Sequence, residues 1–185
     1  MGVFLDGDKV CLRPLTEADV NEEYLGWLHD QEVQRYIEST RLPMTLERLR
    51  EYVRRFEGSD RQVSLAIVEK ASNRHVGNVT LNNINWVNRT ADTAIMIGGK
   101  DCWGHGYAFE AWSLLLEYAF QRLNLRKIIA GVAVDNAPSA SALKRLGFQV
   151  EGTLRAEVWV EGAYRDALRL ALFREDFHKW KAPRS

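Results

Sequence analysis

The connector over residues 98–107, Gly-Gly-Lys-Asp-Cys-Trp-Gly-His-Gly-Tyr, has the composition of an anion-binding loop. It joins a predicted strand directly to a strongly patterned predicted helix. Glycines let a backbone approach a ligand closely, and the first N–H groups of a helix are free and lie at the positive end of its dipole. The connector therefore predicts a site for a phosphate or pyrophosphate group.

Two common phosphate-binding loops do not match this connector. A Walker A loop places Gly-Lys-Ser/Thr before its helix, whereas this one ends Gly-His-Gly-Tyr, with no second lysine and no Ser or Thr hydroxyl for magnesium. A dinucleotide fingerprint needs a small residue where Phe109 stands and an acidic residue ending the next strand, where Asp135 is only an approximate match. Both nucleotide triphosphatases and dinucleotide-binding proteins are therefore disfavoured.

Three elements must position the connector. Residues 91–97 are predicted to be a strand that ends at the connector, and residues 127–134 form a continuous apolar run typical of a strand covered on both faces. Between them a helix is predicted, because apolar residues recur at spacings of three and four: Ala108, Ala111, Trp112, Leu115, Leu116, Ala119, Phe120 and Leu123. A helix between two strands predicts that the strands are parallel.

The rest of the chain predicts further strands and short helices. Helices are expected after Thr16, where Asp19 completes a capping box, between Thr45 and Gly58, and around Pro138. The other strands are predicted at residues 9–13, 62–69, 76–84, 148–160 and 164–173. We predict a mixed α+β fold with a twisted, mostly antiparallel seven-stranded sheet, one parallel pair and about four helices. Residues 1–180 are expected to form a single domain and 181–185 a loose tail.

Composition excludes several classes of protein. The 185 residues include 25 Lys plus Arg and 25 Asp plus Glu, so no overall basic field is available for nucleic acid or an anionic membrane. Cys11 and Cys102 are far apart in sequence and have no neighbouring Cys or spaced His, which supports neither a disulfide framework nor a metal site. No apolar stretch approaches the roughly 20 residues of a membrane helix. We predict a cytoplasmic protein without a metal.

The loop resembles that of the GNAT acetyltransferase superfamily, which reads Gln/Arg-x-x-Gly-x-Gly/Ala before a helix. The extended match, from Trp103-Gly104-x-Gly106-Tyr107 through Ala108 and Glu110, is similar to the RimJ/RimL-type branch. Further blocks in the same order also resemble this branch: Arg13-Pro14-Leu15, Trp27 with Asp30, residues 84–92, Asn136 with Ser139, Leu146-Gly147-Phe148 and Glu151-Gly152. Together these blocks cover nearly the whole chain.

This resemblance implies a GNAT-like fold and acetyl transfer from acetyl-CoA to a primary amine by direct attack. It assigns the cofactor to the loop and the segment after residues 127–134: Trp103, Gly104, His105, Gly106, Tyr107, Ala108, Asn136 and Ser139. Two positions depart from the family. Asp101 replaces Gln/Arg, so cationic help for the pyrophosphate would come from Lys100 or His105, or backbone donors would suffice. Leu143 replaces a tyrosine that protonates the leaving thiolate.

Two side chains are candidate catalytic residues. Asp92 matches a position where the family often has a glutamate that removes a proton from the amine, and the alternative is an ordinary acid at a strand end. Ser139 is the best remaining hydroxyl for the thiolate, and the alternative is local backbone bonding. A main-chain N–H near Met96 or Ile97 is expected to stabilise the oxyanion.

The acceptor site is predicted from the resemblance to lie among the first helices, the central strands and the last hairpin. Its candidate residues are Tyr24, Trp27, Asn82, Asn83, Trp86 and Trp159, with Tyr164. A small acceptor should require an enclosed pocket roofed by Trp86 and the final hairpin. Each of these residues could instead serve in packing.

The acceptor itself stays open at this point. We expect a small amine of the amino sugar, aminoglycoside or polyamine class. The N-terminal amine of a protein, such as a ribosomal protein, is the alternative acceptor, and a non-catalytic acyl-CoA sensor is the alternative function, favoured by Leu143. Homodimerisation is implied by the resemblance.

Overall fold

A computed structural model describes residues 2–37 and 41–181 of the chain. Its strands are β1 (Leu5–Asp6), β2 (Val10–Pro14), β3 (Val63–Glu69), β4 (Arg74–Asn85), β5 (Thr90–Ile97), β6 (Lys127–Ala133), β7 (Gln149–Val160) and β8 (Ala163–Phe173). Its helices are α1 (Glu22–His29), α2 (Gln31–Gln34), α3 (Leu46–Arg54), α4 (Tyr107–Gln121), α5 (Ala137–Arg145) and α6 (Arg174–Lys181).

In the described part of the chain the strands form one mixed sheet in the order β1-β2-β3-β4-β5-β6-β8-β7. Neighbouring strands are antiparallel except β5 and β6. These two are parallel, because the crossover through α4 returns the chain to the end of the sheet at which β5 began. The predicted α+β class and its single parallel pair are confirmed. The closing hairpin turns at Glu161 and Gly162, whose φ angles of 47° and 82° suit a tight two-residue turn.

The structure differs from the prediction in the number of elements. The described residues form eight strands and six α-helices, against seven strands and about four helices predicted. The additional strand is Leu5–Asp6, which pairs with Leu12 and Cys11, and the additional helices are α2 and α6. A two-residue strand is too short to show alternation. The helix expected after Thr16 begins at Glu22, since the Thr16 N–H donating to Asp19 Oδ2 at 2.9 Å closes only a 3-10 turn.

Two hydrophobic clusters cover the two faces of the sheet. The larger cluster packs α4 and α5 on one face, and Leu115, Leu116 and Phe120 are almost fully buried there. Each such side chain contributes about 1.5–3 kcal/mol of transfer free energy. The smaller cluster packs α1 and α3 on the opposite face, around Leu49 and Val53. Helices therefore hold the central strands from both sides.

Within the described ranges, no helix is both long enough and apolar enough to cross a membrane. No group of three or more His, Cys, Asp or Glu residues in those ranges is arranged to hold a metal. Cys11 and Cys102 are both free and buried. Of the predicted tail, residues 182–185 lie outside the described residues.

Candidate active site

A gap opens between β5 and β6 beyond Asp92. The parallel ladder contains the pairs Thr90–Lys127, Ala91–Ile128 and Asp92–Ile129, and it extends no further. On its other side β5 stays paired with β4 as far as Ile97, opposite Gly77. The second half of β5 thus presents one unpaired edge to the gap.

The register identifies which backbone groups face this gap. The Gly98 N–H donates to the Val76 carbonyl at 2.9 Å, on the β4 side. Because hydrogen-bond direction alternates along a strand, the N–H of Met96 also faces β4, whereas the N–H of Ile97 faces the gap. The Ile97 carbonyl accepts the indole N–H of Trp103 at 2.9 Å. Of the two predicted oxyanion donors, Ile97 is therefore the one whose backbone N–H faces the gap.

Residues 98–107, which we call the glycine loop, lead from β5 to the N-terminus of α4. Gly104 and Gly106 have φ angles of 80° and 85°, in the left-handed region that favours glycine. Gly106 is the N-cap of α4, and no side chain caps the helix there. A Cβ atom on Gly104 would meet nothing within 4 Å, so the space beside the loop is open. These features fit a pyrophosphate bound by free N–H groups at the helix N-terminus.

The Lys9 side chain, just before β2, holds the glycine loop in place. The Lys9 ammonium donates to the His105 carbonyl at 3.1 Å. The Glu110 carboxylate, in the first turn of α4, accepts the Lys9 N–H at 2.9 Å and the Val10 N–H at 3.4 Å. Glu110 therefore connects α4 to β2, in addition to lying at the positive end of the helix dipole.

Two charged residues of the glycine loop, Lys100 and Asp101, form ion pairs with residues outside the loop. Asp101 accepts two hydrogen bonds from Arg74, at 2.7 and 3.0 Å, and this hydrogen bonding holds the pKa of Asp101 below its usual value. Lys100 pairs with Asp30 at 2.7 Å, which raises the pKa of Lys100. Because Lys100 is engaged with α2, it is not directed at the predicted phosphate position. His105 is exposed beside that position.

An open depression of about 550 Å³ lies beside the glycine loop, on the β2–β3 side. Lys9, Lys70 and His105 line it together with Tyr107. The Tyr107 hydroxyl donates to Glu69, and this hydrogen bond raises the pKa of Tyr107 to about 12. Tyr107 thus anchors the first turn of α4 to β3 and is uncharged at neutral pH.

The N-terminus of α5 lies just beyond the end of β6. Asn136 is its N-cap, and its side-chain oxygen accepts the Ser139 N–H at 3.3 Å. Ser139 is half-buried and stands one turn before Leu143, which is 1% exposed within the larger hydrophobic cluster. Leu143, at the family's tyrosine position, is therefore part of the core. Ser139, four residues earlier, carries the hydroxyl on the same side of this helix.

Asp92 lies where the two parallel strands separate, on the α1–α3 face of the sheet. Its Oδ1 accepts a hydrogen bond from Arg169 of β8 at 3.1 Å, and its Oδ2 accepts one from Asn83 at 3.1 Å. Arg169 reaches Asp92 across Gly131 of β6, and a Cβ on Gly131 would lie 3.8 Å from Arg169 Nη1. The Arg169 side chain thus passes directly over Gly131, at van der Waals distance from where a Cβ would stand.

The remaining acceptor candidates are divided between the core and the sheet surface. Tyr24 and Trp27 are 3% and 6% exposed, in edge-to-face contact with His75. Burial lowers the pKa of His75, so the packing surrounds a neutral ring at neutral pH. Trp27 also fills the space that a Cβ on Gly98 would occupy. Asn82, on β4, donates to Thr80 Oγ1 at 2.9 Å.

Trp86 and Trp159 lie at opposite ends of the sheet. Trp86 follows β4 at the end where β5 begins, and its indole N–H donates to the Asp60 carbonyl at 2.8 Å. Trp159 packs edge-to-face on Tyr164, with ring centroids 4.8 Å apart, near the end where β6 stops. A single pocket roofed by Trp86 and the final hairpin is therefore wrong, because the strand register separates them.

The closing hairpin is instead bridged by the segment around α2. Arg35 pairs with Glu161 at 2.7 Å, and Arg41 donates to the Trp159 carbonyl. The Tyr36 hydroxyl donates to the Asp135 carbonyl at 3.3 Å. These contacts place α2 and the described residues that follow it near the end of β6 and the start of β8.

Sequence reasoning missed Arg169, Gly131 and Lys9. Arg169 belongs to a strand 77 positions after Asp92, and only the sheet order brings the two together. Gly131 interrupts an apolar run, and a glycine in a strand is a signal of close approach by another group. Lys9 precedes a strand and carries no recognisable pattern.

Comparisons with known proteins match the chain to one family of acetyltransferases. A family model described as an acetyltransferase (GNAT) domain matches residues 9–149. An uncharacterized N-acetyltransferase, p20 of Bacillus licheniformis, is 32% identical over 88% of this chain and 90% of its own length. The spermidine N(1)-acetyltransferase of Escherichia coli is 34% identical over 60% of this chain and 59% of that enzyme.

A solved structure shares the fold over nearly the whole chain. The spermidine N-acetyltransferase of Vibrio cholerae, in complex with CoA and spermine, superposes with a TM-score of 0.84 and 25% sequence identity. The match covers 93% of this chain and 99% of that one.

Proposed function

The chain belongs to the GNAT acetyltransferase family, and we propose that it transfers the acetyl group of acetyl-CoA to a primary amine of a small molecule. The junction of β5 and α4 carries this proposal. There, two glycines with positive φ precede an uncapped helix N-terminus, directly beside the gap between β5 and β6. A pyrophosphate at the glycine loop would allow the rest of acetyl-CoA to extend into that gap. The donor relationship is supported by the CoA-bound structural neighbour.

In the proposed reaction the amine attacks the thioester directly. The amine nitrogen forms a bond to the acyl carbon, the C–S bond breaks, the amine loses a proton and the thiolate gains one. Neither cysteine can act as a covalent nucleophile in the gap, because both are buried and burial raises the pKa of Cys102. We assign the oxyanion to the free N–H of Ile97.

Asp92 is the proposed group that accepts the amine proton or holds the ammonium form. An alkylammonium has a pKa of about 10.4, so its deprotonation at neutral pH requires an acceptor or desolvation. The Asp92 carboxylate retains lone pairs beyond those used by Arg169 and Asn83. Its position at the strand separation supports this role.

Ser139 is the proposed group for the leaving thiolate. It stands in the first turn of α5, where the helix dipole also favours negative charge. Because Leu143 is buried in the core, it leaves Ser139 as the hydroxyl candidate on this helix face. Asn136 orients the same turn and is the proposed partner of the pantetheine amide.

A non-catalytic acyl-CoA sensor is the second candidate, favoured by Leu143 at the family's tyrosine position. One experiment separates the two. Thermal melting with acetyl-CoA is followed by a thiol-release assay across amino sugars, aminoglycosides, polyamines and N-terminal peptides. We expect stabilisation together with release on small amines. Stabilisation without release on every amine supports the sensor, and release on peptides alone supports a protein N-terminus as acceptor. No stabilisation contradicts both candidates.

A cytoplasmic location and a homodimer stay predictions. The two free buried cysteines are compatible with a reducing compartment. β7 lies at the edge of the sheet, and most of its residues are exposed, so this strand is the surface that we propose for pairing with a second copy. Sedimentation of the purified chain tests the dimer.

A further inference from the structure

The first half of the glycine loop is fixed to α1 and to the start of α2. Gly98 lies directly against α1, because a Cβ there would stand 1.9 Å from Trp27 Cδ2. A 3-10 turn over Lys100–Cys102 follows, and the Lys100 ammonium pairs with Asp30, between α1 and α2, at 2.7 Å. The loop is therefore held by other elements before it reaches the glycines with positive φ.

Arg74, the first residue of β4, joins this half of the loop to α1. Its Nη1 and Nη2 donate to the two carboxylate oxygens of Asp101 at 2.7 and 3.0 Å, and its Nε donates to Glu23 of α1 at 3.0 Å. These side chains are partly exposed, and a single ion pair of that kind contributes little. A bidentate guanidinium that also binds a second carboxylate fixes its partners in one geometry.

Gly99 leaves the room that this ion pair occupies. A Cβ on Gly99 would stand 2.8 Å from Arg74 Nη2 and 2.9 Å from Asp101 Oδ1, which are the donor and the acceptor of one of the two hydrogen bonds. At such distances one of the groups must shift. The φ of Gly99 is −71°, which other residues also adopt, so space rather than backbone conformation requires this glycine.

A short piece of chain connects Asp101 to the half of the loop that is proposed to bind the phosphate. Cys102 is 5% exposed within the larger hydrophobic cluster. The indole N–H of Trp103 donates to the Ile97 carbonyl at 2.9 Å, and Gly104 follows directly. Because both intervening side chains are held, a displacement of Asp101 is passed on to Gly104 rather than absorbed between them.

We propose that Arg74 is a positioning residue of the donor site: by fixing Asp101 to α1, it sets where the N–H groups at the start of α4 stand toward the pyrophosphate of acetyl-CoA. This inference rests on the proposed function. It gives Asp101, which departs from the Gln or Arg of the family, a role as the anchor of the loop. The contact with the phosphate itself is made by backbone N–H groups.

Asp101→Asn separates this role from simple attraction between charges. By electrostatics alone, removal of a negative charge near a pyrophosphate should tighten acetyl-CoA binding. We expect the opposite, an increase of about fivefold in the dissociation constant measured by calorimetry, because the anchor of the loop is lost.

Two further variants test the same contact. Arg74→Gln should raise the dissociation constant by about the same factor, and its combination with Asp101→Asn should raise it no further, because both substitutions break one contact. Gly99→Ala keeps every charge but displaces the ion pair, so it should weaken binding by about threefold. In each variant kcat at saturating acetyl-CoA should stay within about twofold of the unsubstituted value, since only donor binding is affected.

Arg54→Gln is the matched control. Arg54 of α3 donates to both carboxylate oxygens of Glu17 at 2.6 and 2.7 Å, so it forms the same kind of exposed, bidentate ion pair between two other parts of the chain. This substitution changes the net charge as Arg74→Gln does, and it should leave acetyl-CoA affinity unchanged.

The outcomes separate this inference from the proposed function. No binding of acetyl-CoA by the unsubstituted chain overturns both. Binding without thiol release on any amine overturns the proposed function alone, because the dissociation constants of the variants still decide the role of Arg74. Tighter binding in Asp101→Asn, or an equal loss in Arg54→Gln, overturns this inference alone. A lower melting temperature with an unchanged dissociation constant in Arg74→Gln also overturns it, because that result shows a purely structural ion pair.

Discussion

The glycine loop and the site around Asp92 lie at the two ends of the gap between β5 and β6 but are built in different ways. The loop is one continuous segment with positive φ at Gly104 and Gly106, and we propose that it binds through backbone N–H groups. The site around Asp92 brings Asn83 of β4 and Arg169 of β8 onto the strand that carries Asp92. Backbone N–H groups are little affected by substitution, so they suit a donor that does not vary. A site made of charged side chains can bind a different acceptor after a single substitution.

The largest effect is expected in the site around Asp92. Asp92→Asn keeps the side-chain shape but removes the carboxylate charge, so kcat/KM should fall by about 100-fold, as for loss of a proton-transfer group. Acetyl-CoA affinity, measured by calorimetry, should be unchanged. Asp60→Asn, an exposed acid, serves as the matched control. A pH–rate profile of Asp92→Asn like that of the unsubstituted chain would eliminate the role of Asp92.

The next effect is expected in the glycine loop. Gly106 has a φ of 85°, where a β-branched residue costs about 1–3 kcal/mol, so Gly106→Val should raise the acetyl-CoA dissociation constant about tenfold. The preference among amines should stay as it was. Gly152→Val is the control, because a Cβ there meets nothing within 4 Å and its φ is not positive. Equal acetyl-CoA affinity in both variants contradicts backbone recognition at this loop.

A smaller effect is expected at Ser139, beside the gap. A thiol has a pKa of about 8.5, so the thiolate leaves with only moderate assistance, and Ser139→Ala should lower kcat about fivefold. Ser141→Ala removes an exposed hydroxyl from the same helix and is the matched control. A loss of less than about twofold in pre-steady-state turnover would make the Ser139 hydroxyl dispensable.

The smallest effect is expected at Lys9, a side chain that supports the loop. Its exposed hydrogen bond to the His105 carbonyl contributes little, so Lys9→Met should weaken acetyl-CoA binding by about threefold. Lys70→Met removes a lysine whose contacts are with Asp6 and Gly7 instead, and should have less effect. A tenfold or larger loss in Lys9→Met would show that the loop depends on side chains after all.

Local patterns predicted the parts of the site that are continuous in the chain. The spacing of apolar residues located α4, and the glycines located the loop before it, because both depend on neighbours within a few positions. The same reasoning placed β5 and β6 in parallel. It missed β1 and α2, which are too short to show a period, and it set the first helix too early at Thr16.

The acceptor side was harder to predict, because it depends on the register between distant strands. Trp86 and Trp159 were expected over one pocket, and the register places them at opposite ends of the sheet. Tyr24 and Trp27 are buried in packing against His75. Neither the residue type of these aromatic side chains nor their position in the sequence shows which of them are buried in the core and which lie at the ends of the sheet.

The sequence by itself determined the class of fold, the position of the glycine loop before α4 and the family. These depend on periodicity and on short motifs, which interactions between near neighbours control. Only the tertiary structure decided that Arg169 crosses Gly131 to neutralise Asp92, and that α2 bridges the closing hairpin. Strand order and register set those contacts, because they bring together residues that no local interaction connects.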